Sequence, residues 1–88
     1  MMEDESLFDF PCDFPIKAMG KAADDFDSLV VSLVRKHSPD LREGAVRTRM
    51  SQGGKYMSVT ITIQAQSRAQ LDAIYQDLVD CEDVIMAL

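Results

Sequence analysis

An α+β fold of the ferredoxin-like kind, with element order β-α-β-β-α-β, is what this chain of 88 residues predicts. Three observations carry the prediction. Residues 55–66 alternate strictly between apolar and polar side chains. Residues 24–37 repeat apolar side chains at helical spacing. A glycine pair, Gly53-Gly54, joins two alternating runs whose faces match when they are folded onto each other. The result is a four-stranded antiparallel sheet in the order 4-1-3-2, with two helices on one face and the other face open.

Residues 14–19, FPIKAM, read as the first strand. Phe14, Ile16 and Ala18 share one face, and Lys17 and Met19 the other. Pro15 brings no donor and needs an unpaired position, and Gly20 is expected to break the strand. In residues 24–37, Phe26, Leu29, Val30, Leu33, Val34 and His37 form one stripe. Asp24, Asp25 and Asp27 crowd its start and Arg35, Lys36 and His37 its end, which suits the helix dipole, and Pro39 follows as the stop.

Residues 45–50 form a second strand, with Val46, Thr48 and Met50 on one face and Arg47 and Arg49 on the other. In the third, Met57, Val59, Ile61, Ile63 and Ala65 oppose Tyr56, Ser58, Thr60, Thr62 and Gln64. With Gly53 and Gly54 as the loop, Met50 stands opposite Met57, Thr48 opposite Val59 and Val46 opposite Ile61. A slip by one residue would mix the two faces. Glycines supply the positive φ of a tight hairpin turn. A phosphate-binding loop would want them before a helix N-terminus rather than a strand, so the pair is read as a turn. Ser67 then caps a second helix, with Gln70 completing a capping box and Leu71, Ile74, Tyr75 and Leu78 as its stripe. Residues 84–88, VIMAL, close the chain as a short strand.

Composition bounds the function. Hydrophobic residues at 47% and charged residues at 27% describe one globular domain, residues 10–88, behind a flexible acidic tail, residues 1–9. No apolar run approaches the ~20 residues of a membrane helix, and the acidic start lacks the basic region of a secretory signal, so a cytoplasmic protein is expected. Cys12 and Cys81 stand alone and read as reduced thiols. With one histidine and no cysteine cluster, neither metal nor cofactor is expected.

A net charge of −6 argues against general nucleic-acid binding. The charge is uneven, however. Residues 44–66 carry Arg47, Arg49 and Lys55 and no acid, while residues 67–88 carry five acids against Arg68. His37 ends an apolar stripe and reads as a capping side chain; no nucleophile or acid is placed beside it by sequence, so no catalytic residue is named. The face of such a sheet that binds RNA carries exposed aromatics on its central strands; here Tyr56 stands alone.

The stretches FPCDFPIKAMG, RKHSPD, KYMSVTITIQAQS and VIMAL together resemble the YbeD-like family of small bacterial proteins, over about Phe10 to Leu88. The resemblance implies an ACT-like version of the fold. ACT domains bind amino acids at dimer interfaces, but where they carry an Asp-x-x-Gly turn this chain has MGKAADDF, so that site is not carried over. Some bacteria encode members of this family beside lipoate-attachment enzymes, which implies a regulatory role linked to lipoate metabolism.

The expectation is therefore a small non-enzymatic regulatory or adaptor module. It would bind a protein partner or a small-molecule effector with its open sheet face or an edge, through Lys17, Arg47, Arg49, Tyr56, Ser58, Thr60 and Ile85. The alternative is a nucleic-acid-binding module using the same face. Arginines on an edge strand also deter stray pairing, which gives Arg47 and Arg49 a structural reason as well. The last strand is apolar on both faces, so a homodimer through it is expected, with Val84, Met86 and Leu88 toward the helices and Ile85 and Ala87 on the open side.

Overall fold

The computed structural model describes residues 10–88; the acidic tail expected over residues 1–9 lies outside the described residues. Its elements are β1 (Cys12–Lys21), α1 (Phe26–Arg35), a 3-10 turn (Glu43–Ala45), β2 (Val46–Met50), β3 (Tyr56–Ala65), α2 (Arg68–Asp80) and β4 (Val84–Ala87). The strands form one antiparallel sheet in the order β2-β3-β1-β4, the order expected. Both helices lie on one face. Phe26, Val30 and Val34 from α1 and Leu71, Ile74 and Leu78 from α2 are buried with Ile16, Ala18, Val59, Ile61, Ile63 and Ala65 from the sheet. That core is one continuous apolar layer, the feature that a two-layer domain needs to hold together.

The hairpin register is the one the alternation demands, from Val46↔Ile61 to Met50↔Met57. Gly53 and Gly54 have φ of 90° and 73°, and a side chain at either would meet open space. Their requirement is thus conformational and not steric. Replacing both by valine should cost about 1–3 kcal/mol, the range of strained backbone positions. An unchanged urea midpoint would show that the turn tolerates branched side chains.

Three features of the sheet depart from expectation. First, β1 is longer at both ends and pairs with β3 over ten residues, Cys12↔Ala65 to Lys21↔Tyr56. Lys17 turns its backbone groups toward β4, exchanging bonds of 2.7 and 3.0 Å with Leu88. Pro15, two residues earlier, points its nitrogen the same way, where β4 does not reach, so no ladder bond is lost.

Second, Gly20 does not break the strand. It lies within β1, and a Cβ there would sit 2.6 Å from Phe26 Cζ, and closer still to Phe26 Cε1 and the Asp83 carbonyl oxygen. Its missing side chain is the space that the Phe26 ring fills.

Third, the register shifts between Met19 and Gly20: Gly20 faces Val84, yet Met19 faces Met86 and Ala18 faces Ala87. Ile85 is the extra residue of a bulge. Val84 and Ala87 pack against the core, and Met86 and Leu88 share the open side with Met19 and Lys17. The expected faces of Ile85, Met86, Ala87 and Leu88 are therefore reversed beyond the bulge. Ile85 borders a cleft with Phe26 and Leu29 on the helix side.

Helix α1 starts at Phe26 instead of residue 24, because Asp24 and Asp25 form a turn and Asp25 makes no side-chain cap. Helix α2 starts as expected. Ser67 Oγ accepts from Gln70 N at 3.1 Å. The reciprocal bond goes one residue further out, with Gln66 N donating to Gln70 Oε1 at 2.7 Å. Gln70 Nε2 also donates to the His37 carbonyl at 2.9 Å, so one side chain serves the start of α2 and the end of α1.

Candidate functional site

The open face of the sheet is built by period-two alternation on four strands. Across it, Arg47, Thr60 and Lys17 form one row, continued by Leu88 through its bonds to Lys17. Arg49, Ser58, Met19 and Met86 form the next. Tyr56 stands opposite Lys21 at the end. Six of the seven residues named from sequence, Lys17, Arg47, Arg49, Tyr56, Ser58 and Thr60, are thereby brought together on one surface. Ile85 is not among them, because the bulge carries it to the other side.

Ser58 is only 8% exposed, although it belongs to the open face. It lies between Arg49 and Met19, at the floor of a depression of about 180 Å³ bordered by Lys17 and Tyr56. Its hydroxyl is a recessed polar spot under long side chains. Met19, Met86 and Leu88 add apolar area that the named set omitted. Lys21 was missed because the strand was expected to stop at Gly20; the alternation Lys17, Met19, Lys21 was the signal. Lys21 also borders the cleft beside Ile85, so it forms the rim.

The electrostatics of the two faces differ. Lys17, Arg47 and Arg49 stand on the open face, and among the described residues none of them has an ion pair with an acid. The nearest acid by register is Asp13, at the far end of β1 opposite Gln64. On the helix side, acids meet bases: Lys36 and His37 share Asp77, and Arg68 pairs with Asp72. Among the described residues, a chain of net charge −6 thus presents a basic surface without paired acids.

His37 has the acid that sequence reasoning did not find. His37 Nε2 lies 2.7 Å from Asp77 Oδ2, across 40 positions of chain, and Lys36 Nζ lies 3.2 Å from the same oxygen. Only tertiary packing of α1 against α2 makes this pair. Neither residue lines a described cavity, so the pair ties the two helices. The hydrogen bond from His37, then that from Lys36, holds the Asp77 carboxyl below its ordinary value of 3.8. A lowered pKa contributes stability that is present above the ordinary value and is lost as pH falls through the lowered one. Asp77→Asn should therefore lose less stability than the unmodified chain between pH 5 and pH 2 in urea titrations. Parallel losses would remove this link from acid unfolding.

Among the described residues no group of three or more His, Cys, Asp or Glu side chains could hold a metal ion, and no helix is long and apolar enough to cross a membrane. Cys12 and Cys81 are free thiols, each half-buried. The hydroxyl of Tyr75 donates to the Leu88 carbonyl at 2.7 Å, anchoring the last residue beneath α2, and burial raises its pKa.

Fold and face together define a ferredoxin-like α+β sandwich with an open basic sheet face. Comparison with a solved structure agrees. The solution structure of HP0495 from H. pylori superposes with a TM-score of 0.71 at 14% identity, covering 92% of this chain and 85% of that one; at that identity the likeness shows the fold. The chain belongs to the family described as "Protein of unknown function (DUF493)", whose model matches residues 5–88. Among its relatives, the UPF0250 protein NE1487 of Nitrosomonas europaea is 48% identical over 87 residues, covering 99% of this chain and 100% of that protein. A UPF0250 protein of Paraburkholderia phytofirmans is 50% identical over 74 residues, covering 84% and 83%. The resemblance to the YbeD-like family is the same relationship.

Proposed function

We propose that the protein is a non-enzymatic regulatory or adaptor module that docks an acidic region of a partner protein on its open sheet face. One observation carries this reading: Lys17 and Arg49 border the Ser58 depression, Arg47 stands in the next row of the same face opposite Thr60, and all three lack acidic partners among the described residues, in a chain that is acidic elsewhere. Complementary charge steers encounter and fixes orientation, and the methionines beside it adapt to irregular apolar surface. The lipoate-attachment enzymes implied as neighbours by the resemblance fit such a module and come first among proteins to offer to the face.

The nucleic-acid reading draws on the same cations. Among the described residues of that face it finds one aromatic, Tyr56, where single-stranded binding favours several stacking rings. Hexaglutamate and an oligouridylate of equal charge separate the two readings when titrated onto isotope-labelled protein. Amide shifts at Arg47, Arg49 and Lys17 with hexaglutamate, at least as large as with the oligouridylate, support the acidic-protein reading. Tighter oligouridylate binding that shifts the Tyr56 ring would replace it.

A further inference from the structure

The free edge of β2 carries a second feature that charge alone does not describe. Ser51 N donates to Tyr56 O at 2.8 Å, so that pair is a hydrogen-bonded one. Pairs then alternate along an antiparallel ladder. Arg49 and Arg47 turn their backbone groups toward β3, and Met50, Thr48 and Val46 turn theirs outward. The Val46 N–H is taken by the Glu43 carbonyl at the end of the 3-10 turn. The amides of Thr48 and Met50 have no partner among the described residues. Beside this edge, on the helix side, α1 does not cover β2. A groove of about 750 Å³ runs between them, lined by Val31, Val46 and Thr48 and by the polar residues Asp27, Ser28, Ser32, Arg35, Lys36 and Glu43. Met50, whose side chain shares that face of β2, is 54% exposed. The sandwich is thus one strand short of closing over its own helix.

We infer that the β2 edge receives an extended segment of a partner protein as a fifth, antiparallel strand, with acidic side chains on the open face and apolar ones in the groove. The geometry sets this pattern. Successive side chains of an added strand point alternately to the two sides. Those on the open side meet Arg47 and Arg49; those on the other side meet Val46, the Thr48 methyl and Val31. Strand addition of this kind draws affinity from main-chain bonds and specificity from alternate side chains.

A second copy of this chain is the poorer occupant. Pairing β2 with itself about Thr48 sets Arg47 opposite Arg49 of the other copy, twice, and like charges directly opposite are destabilising. Arg47 and Arg49 therefore repel copies of this chain while inviting acids. The inference rests on the acidic-partner reading for its charge, and adds the edge and the groove.

The test uses an end-capped (Glu-Val)4 peptide at neutral pH, where its own charge keeps it dispersed, and the full chain labelled for amide exchange. In an antiparallel pair the valines share the groove side with Thr48 and Met50, so their amides point at β2. Binding should slow exchange at Thr48 and Met50 at least tenfold. N-methylation of the valines should weaken binding at least tenfold, and N-methylation of the glutamates should leave it within about twofold. A (Lys-Val)4 control should not bind. Equal binding of both methylated peptides without protection of Thr48 and Met50 would overturn the edge inference and leave the open-face reading standing, since the acids still dock. No binding at millimolar peptide would also overturn it, with the open face then judged by hexaglutamate alone. Protection of both amides in the free protein would show the edge already taken, by a second copy or by residues 1–9, and would overturn it too.

Discussion

Gly20→Val is expected to be the most damaging single change in the molecule, costing about 3 kcal/mol or more, the upper end for overpacked cores. The added carbons would enter the Phe26 ring and the Asp83 carbonyl. Neither can yield cheaply. Phe26 is 2% exposed and wedged between sheet and helix, and Asp83 belongs to the turn that delivers β4 to β1. For a domain whose whole stability is about 5–10 kcal/mol, a fall in urea midpoint of a third or more should result. A midpoint within error of the parent would mean that β1 and α1 stand further apart than described.

Phe26→Ala should cost nearly as much, about 3–5 kcal/mol, from lost burial and the cavity left behind. The two positions are coupled, which gives a sharper check than either alone. In the Phe26→Ala background the ring that excludes a side chain at Gly20 is gone. Gly20→Ala should then be less harmful than in the parent, the Asp83 carbonyl clash remaining, giving a coupling above about 0.5 kcal/mol in a double-mutant cycle. Strict additivity would separate the two residues and leave Gly20 explained by the Asp83 carbonyl alone.

Gly20 also shows where reading a sequence stops short. A glycine between a strand-like run and a helix signals a break, because the residue carries no side chain to declare a face. Its role is set by Phe26, whose ring arrives only after α1 packs down. The strands that declare both faces were read correctly. β3 alternates over its whole length, and the Gly53-Gly54 turn leaves one register that keeps Val59 and Ile61 with Thr48 and Val46. From those two strands the open-face set of Arg47, Arg49, Tyr56, Ser58 and Thr60 follows. β4 declares nothing: Val84, Ile85, Met86, Ala87 and Leu88 are all apolar, so a bulge costs no burial pattern and leaves no mark. Ile85 was misplaced for that reason. The His37–Asp77 pair was hidden for another. Helical spacing places each residue on its own element, and nothing local says which turn of α2 lies across from the end of α1.

In the proposed docking, the basic open face, and not the general charge of the surface, selects the partner. Affinity capture from lysate with matched charge reversals tests it most directly. The baits are the parent chain, Arg47→Glu, Arg49→Glu and, as a control of equal charge change on the helix side, Arg68→Glu. All four should show the same far-ultraviolet circular dichroism, since Arg47 and Arg49 are exposed strand residues. A protein with an acidic region should be retained by the parent and by Arg68→Glu, and lost from both Arg47→Glu and Arg49→Glu. Equal retention by all four baits, or loss from Arg68→Glu alone, would contradict it.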